Sequence, residues 1–209
     1  MMQGKKSVTL TKTFYIAIYE MTVGQDKKIA GRSYTDYHDA DALTEWDRYA
    51  DSLISYNTIR GASKGGQWPS SDAVDSSSII GKLRSKTSLK FDLPTEAQWE
   101  YACRAGTTTA LNSGKNLVAA SGVDANMAEV GRYYYNSGAY NNSYDYNGTD
   151  ATGTAKVGSY LPNAWGLYDM HGNVGEYCLD WYDLKESGTL TDPVGPETGS
   201  SRAVRSGTW

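Results

Sequence analysis

The chain of 209 residues carries a formal net charge of −4 and a pI near 5.2, and its longest basic runs are Lys5-Lys6 and Lys27-Lys28. Phosphate binding needs clustered Lys and Arg, so nucleic acid is not an expected partner. No apolar stretch reaches the length of a membrane span, and the length suits one domain with a sizeable core.

The N-terminus, MMQGKKSVTLTKTF, has no apolar core of a signal peptide. A mature chain would lack one too, so cell surface and cytoplasm both stay open. From Ser7 to Thr22 the alternation of Phe14, Ile16 and Ile18 with Tyr15, Ala17 and Tyr19 predicts one or two β-strands. Asp39 to Ile54 reads as a helix, with Leu43, Trp46, Ala50 and Leu53 three and four residues apart and Asp39 or Asp41 as the cap. Ile54 to Ser76 reads as loop. A short helix is expected from the serines Ser76–Ser78 through Ile79, Ile80 and Leu83.

The clearest helix begins at Thr95. Thr95-Glu96-Ala97-Gln98 has the form of a capping box, in which hydroxyl and glutamine side chain each satisfy an amide at the other end of the turn. Pro94 and Gly106 punctuate its two ends. Trp99, Ala102 and Cys103 share one face, the one expected to be buried. From Thr107 to Ser159 the chain turns polar, but interleaved tyrosines (Tyr133 to Tyr135, Tyr140, Tyr144, Tyr146) favour an ordered long loop.

Seventeen tyrosines and six tryptophans stand against two phenylalanines. Such rings bury large areas while keeping a polar edge, which suits a loop-rich fold and equally a binding face. Two cysteines, Cys103 and Cys178, are too few for a disulfide framework. They read as small buried thiols, and a bond between them stays open. Only His38 and His171 are present, and no Gly-x-Ser-x-Gly elbow or phosphate-binding loop occurs.

The turn Gly172-Asn173-Val174-Gly175-Glu176 puts a side-chain amide oxygen, backbone carbonyls and a carboxylate within five residues. That is the oxygen-only donor set a hard cation prefers. A plain turn is the alternative, with Asn173 in the left-handed conformation and Glu176 against Arg202 or Arg205.

Three blocks, LPTEAQWEYACRAG (93–106), NAWGLYDMHGNVGEYCLDWY (163–182) and RAVRSGTW (202–209), together resemble the formylglycine-generating enzyme (sulfatase-modifying factor) family. They lie in family order and bracket roughly the second half of the chain. The resemblance implies an α+β fold of the C-type lectin-like kind, with long irregular loops and few helices, as a single domain over 1–209 that runs on past Trp209. It also implies a calcium site at Asn173, the Val174 carbonyl and Glu176, and a second one involving Asn126 with Asp145 or Asp150. Gly175 replaces the tryptophan usual in that slot.

The family's oxidases use a cysteine pair that binds copper through soft thiolates and oxidises a substrate cysteine with O₂. That pair lies beyond the Arg205–Trp209 block, so copper is expected only if such cysteines follow Trp209. Other members lack the pair. Some are variable proteins of diversity-generating retroelements, whose C-terminal part displays a hypervariable binding surface. The resemblance therefore implies a non-catalytic ligand-binding scaffold of that type, with a protein or other surface ligand as partner. The alternative it implies is the formylglycine-generating oxidase.

Overall fold

The computed structural model describes residues 7–31, 47–52, 54–137, 153–183 and 188–208. In chain order its elements are β1 (Ser7–Thr9), α1 (Val23–Ala30), α2 (Tyr56–Arg60), α3 (Ile79–Thr87), α4 (Glu96–Arg104), α5 (Ala125–Val130), β2 (Gly131–Arg132), β3 (His171–Gly172), β4 (Glu176–Trp181), β5 (Thr189–Thr191) and β6 (Arg202–Arg205). A single 3₁₀ turn spans Gly65–Gln67. The described strands pair two by two: β1 with β5 in parallel, β2 with β3 in parallel, and β4 with β6. Short helices and small sheets joined by long irregular stretches make up an α+β architecture.

The described residues form two compact units, each assembled from separated stretches of chain. One comprises residues 1–16, 56–102 and 177–205 and holds β1, α2, α3, β5 and β6, most of α4 and nearly all of β4. The other comprises 17–55, 103–176 and 206–209 and holds α1, α5, β2 and β3.

Capping decides where the helices begin. Ser78 accepts from the Gly81 amide and starts α3 where the serine cluster predicts it. The box at α4 is formed as read: Thr95 Oγ1 accepts from Gln98 N at 3.2 Å and Gln98 Oε1 accepts from Thr95 N at 2.9 Å. Such a cap contributes about 1 kcal/mol. Trp99, Ala102 and Cys103 are all buried, as their shared face requires. Within the first unit the start of α4 is tied to β4, because Leu179 N donates to Pro94 O at 2.9 Å and Glu96 N to Asp180 Oδ2 at 2.9 Å. A second capping box, Thr22 with Gln25, starts α1.

Three sequence expectations are corrected. Of the strand expected across Ser7–Thr22, only β1 forms. Ile18 is 53% exposed and Phe14 is half-buried, so alternation there does not report a sheet face. Most of the helix expected at Asp39–Ile54 lies outside the described residues. Its described end is a turn followed by Tyr49 and Ala50, which make isolated bridges to Lys156 and Thr22. The span Ile54–Ser76, expected as loop, contains α2 and the 3₁₀ turn; α2 is anchored by Arg60, whose side chain is fully buried. A buried arginine is not something apolar periodicity can announce.

Two regions as candidate functional sites

In the second unit the parallel pair β2–β3 brings two glycines against opposing backbone. A Cβ on Gly131 would overlap the His171 carbonyl, and one on Gly172 would overlap that of Arg132. Gly172 also has φ +79°, and Asn173 follows at φ +61°, the left-handed region that glycine and asparagine enter at least cost. The turn thus aims the Asn173 side chain inward, where it is fully buried. Its Nδ2 donates to Glu20 Oε2 at 2.6 Å, and its Oδ1 accepts from Ala155 N at 2.7 Å. Val174 N donates to the other Glu20 oxygen at 3.2 Å.

Glu20 is itself buried. Loss of hydration, reinforced by the charges of Glu176 and Asp169, pushes its carboxyl up to about 10. Asp169, also buried, is raised for the same first reason, and it accepts from Gly158 N at 2.7 Å. Glu20 thus holds its proton inside the fold, against the Asn173 turn. The one amide oxygen that the Asn173 turn offers is engaged by Ala155. Asn126, on α5, instead donates through Nδ2 to Asn116 O at 2.8 Å. Asp145 and Asp150 lie outside the described residues. Among the described residues no group of three or more His, Cys, Asp or Glu is arranged to hold a metal. Asn173 and Val174 are thus tied to Glu20, and Asn126 lies in a separate contact on α5. The arginines expected near Glu176 are engaged elsewhere: Arg205 pairs with Glu96 and Arg202 lines the pocket described below.

His171 Nε2 accepts from Asn112 N at 3.0 Å, which ties β3 to the loop after α4; His38 is outside the described residues. Both cysteines are buried thiols, and the Cys103 thiol donates to Met170 O at 3.6 Å. The Cys103–Cys178 bond left open by the sequence is not formed.

The first unit holds a different kind of site. A cleft of about 590 Å³ opens there, lined among others by Tyr56, Tyr177, Trp181, Ser200, Ser201 and Arg202. Arg202 sits at the start of β6 and is 8% exposed. Its Nη1 donates to Leu179 O at 2.7 Å and its Nη2 to Gly66 O at 2.8 Å. The guanidinium stacks 3.4 Å from the Trp181 ring centroid and 4.4 Å from that of Tyr56. Tyr56 meets Tyr177 edge-on at 5.8 Å.

The adjacent Arg60 is fully buried, and Asp92 binds it twice, at 2.7 and 2.9 Å. Burial works against its charge, and Asp92 more than restores it. Arg84 shares that same carboxylate at 2.9 Å. Arg202, by contrast, makes no ion pair among the described residues, and burial lowers its pKa. The sequence reading assigned no ligand-binding residue to this cleft, and a strand reading Arg-Ala-Val-Arg does not signal an inward arginine.

The chain matches the family model described as a sulfatase-modifying factor enzyme 1-like domain over residues 3–209. It is 36% identical to the formylglycine-generating enzyme of Thermomonospora curvata over 123 residues, covering 56% of this chain and 38% of that enzyme. Similarity also extends to the serine/threonine-protein kinase pkn1 of Chlamydia pneumoniae, at 37% over 121 residues, or 56% of this chain and 16% of the kinase. These matches span well under half the length of either relative. Among solved structures, variable protein 1 of Treponema denticola superposes with a TM-score of 0.60 at 22% identity, covering 91% of this chain and 71% of that one. The fold is the C-type lectin-like one that the motif blocks imply. With a family model matched along nearly its whole length, the chain belongs to the family of sulfatase-modifying factor enzyme 1-like domains.

Proposed function

We propose that this chain is the scaffold of a non-catalytic ligand-binding protein, of the kind found as variable proteins of diversity-generating retroelements. The observation that carries this reading is the contrast between its thiols and its cleft. Both cysteines of the chain are buried, so neither meets the demand of copper oxidation for two thiolates converging on one accessible metal. The cleft, meanwhile, presents the rings of Tyr56, Tyr177 and Trp181 among polar and small side chains. Such rings give contact area at low entropic cost, which a binding surface needs. The ligand is a protein or another surface-borne molecule.

The identity with the Thermomonospora curvata enzyme favours a second reading, a formylglycine-generating oxidase. On that reading a cysteine pair following Trp209 would hold the copper. The two are separated by incubating the full gene product with Cu(I), O₂ and a sulfatase-motif peptide. The scaffold reading expects the peptide cysteine to stay intact. Conversion to the aldehyde, seen by mass spectrometry, would overturn it in favour of the oxidase.

A further inference from the structure

A buried guanidinium cannot shed its proton to escape the cost of burial, so it must find compensation. Arg60 finds it in Asp92. Arg202 has two carbonyl oxygens and two aromatic faces, which stabilise a cation without neutralising it. The surrounding charges do not close the account either. Asp180 is near enough to favour the charged form of Arg202, but it accepts the Glu96 amide, and Arg60 opposes it. Asp92 already serves both Arg60 and Arg84. Among the described residues, Arg60, Arg84 and Arg202 are therefore set against Asp92 and Asp180, which leaves one positive charge in excess beside the cleft.

We propose that the cleft at Arg202 is a subsite for an aromatic carboxylate, or a carboxylate next to an aromatic side chain. The acid would take Arg202 as counter-ion, and its ring would lie against Tyr56, Tyr177 or Trp181. Aromatic rings stack on the guanidinium, so an anion approaches at its edge, where a planar carboxylate matches the N–H fork. The hydroxyls of Ser200 and Ser201, both exposed and at the cleft, supply further donors. Beside the three rings, Ala62 and Val204 add apolar surface to the cleft, while Asn57, Ser63 and Gln67 add polar side chains. This deepens the ligand-binding reading and rests on it; the aldehyde assay tests that reading by a separate readout.

The probe is benzoate, with benzamide as its uncharged counterpart, titrated into the protein while the indole and guanidinium NMR signals are followed. Benzoate is expected to shift the Trp181 and Arg202 signals saturably at millimolar concentration. Benzamide is expected to bind about tenfold more weakly or worse, the usual cost of losing a charge-assisted hydrogen bond. Arg202→Met should abolish the preference for the acid. Because that variant also loses two structural hydrogen bonds, Ser200→Trp provides a second check. It fills the cleft from an exposed position, and should remove binding while leaving the melting temperature unchanged. Absence of saturable shifts, equal binding of acid and amide, or undiminished binding in a folded Ser200→Trp variant would each overturn the proposal.

Discussion

Two sites, one in each unit, are built around buried groups of opposite charge, Glu20 and Arg202, and they handle that burial in opposite ways. Around Asn173, Glu20 is enclosed with Asp169 and Glu176 nearby, and it relieves the cost of burial by keeping its proton. Around Arg202 no such exit exists, because guanidinium stays charged at any physiological pH. Carbonyls, aromatic faces and an open cleft surround it instead. A buried acid can close its own site. A buried arginine leaves its site asking for a partner.

The comparison can be sharpened first at Arg60, where the same unit contains the paired version of the same group. Arg60→Ala strips Asp92 of its buried partner and orphans Tyr56 Oη and Gly65 O as acceptors. Removing one member of a buried ion pair costs about 3–5 kcal/mol, so chemical denaturation should show a loss of that size. A cost under about 1 kcal/mol would mean that buried guanidiniums in this unit need no counter-ion, Arg202 included.

The acid side makes a smaller, pH-dependent prediction. Glu20 has a folded pKa of about 10 against 4.5 when unperturbed. Between those values the folded chain holds a proton that the unfolded chain has released, so stability falls as pH rises. The contribution is whole below pH 4.5 and declines toward pH 10. From about pH 5 to pH 7 the loss should be about 2.5 kcal/mol. Glu20→Gln should flatten that slope, although both Glu20 oxygens are acceptors, and a glutamine nitrogen in place of one leaves a donor facing a donor. The variant should therefore be less stable than the parent in acid and approach it as pH rises. A slope unchanged by the substitution would show that Glu20 is already ionised when folded.

Much of this was legible in the sequence wherever local chemistry dictates local structure. Thr95 and Gln98 specify their cap without reference to the rest of the chain, and Ser78 does the same. Gly172-Asn173 announces a left-handed turn because few other residues accept that backbone. The motif blocks fixed the fold through spacing that short-range propensity does not explain. What stayed hidden depends on distant partners. Glu20 and Asn173 lie 153 residues apart, and nothing in YEMT marks the glutamate as buried. The same distance hides the Arg202–Gly66 contact, 136 residues long, and with it the cleft. The oxygen-rich composition of the Asn173 turn suggested calcium. Composition shows which donors are present, and only the structure shows that the Asn173 amide is already engaged.

One thermal-melting experiment addresses the central contrast directly, by recording the same protein near neutral pH with millimolar Ca²⁺ and, separately, with saturating benzoate. Ligands that bind only the folded state raise the melting temperature by mass action. The account predicts a rise of about 2–4 °C with benzoate and none with Ca²⁺, since the guanidinium site is open and the carboxyl site is closed. A rise with Ca²⁺ that vanishes in Glu176→Gln, together with no response to benzoate, would contradict it on both sides.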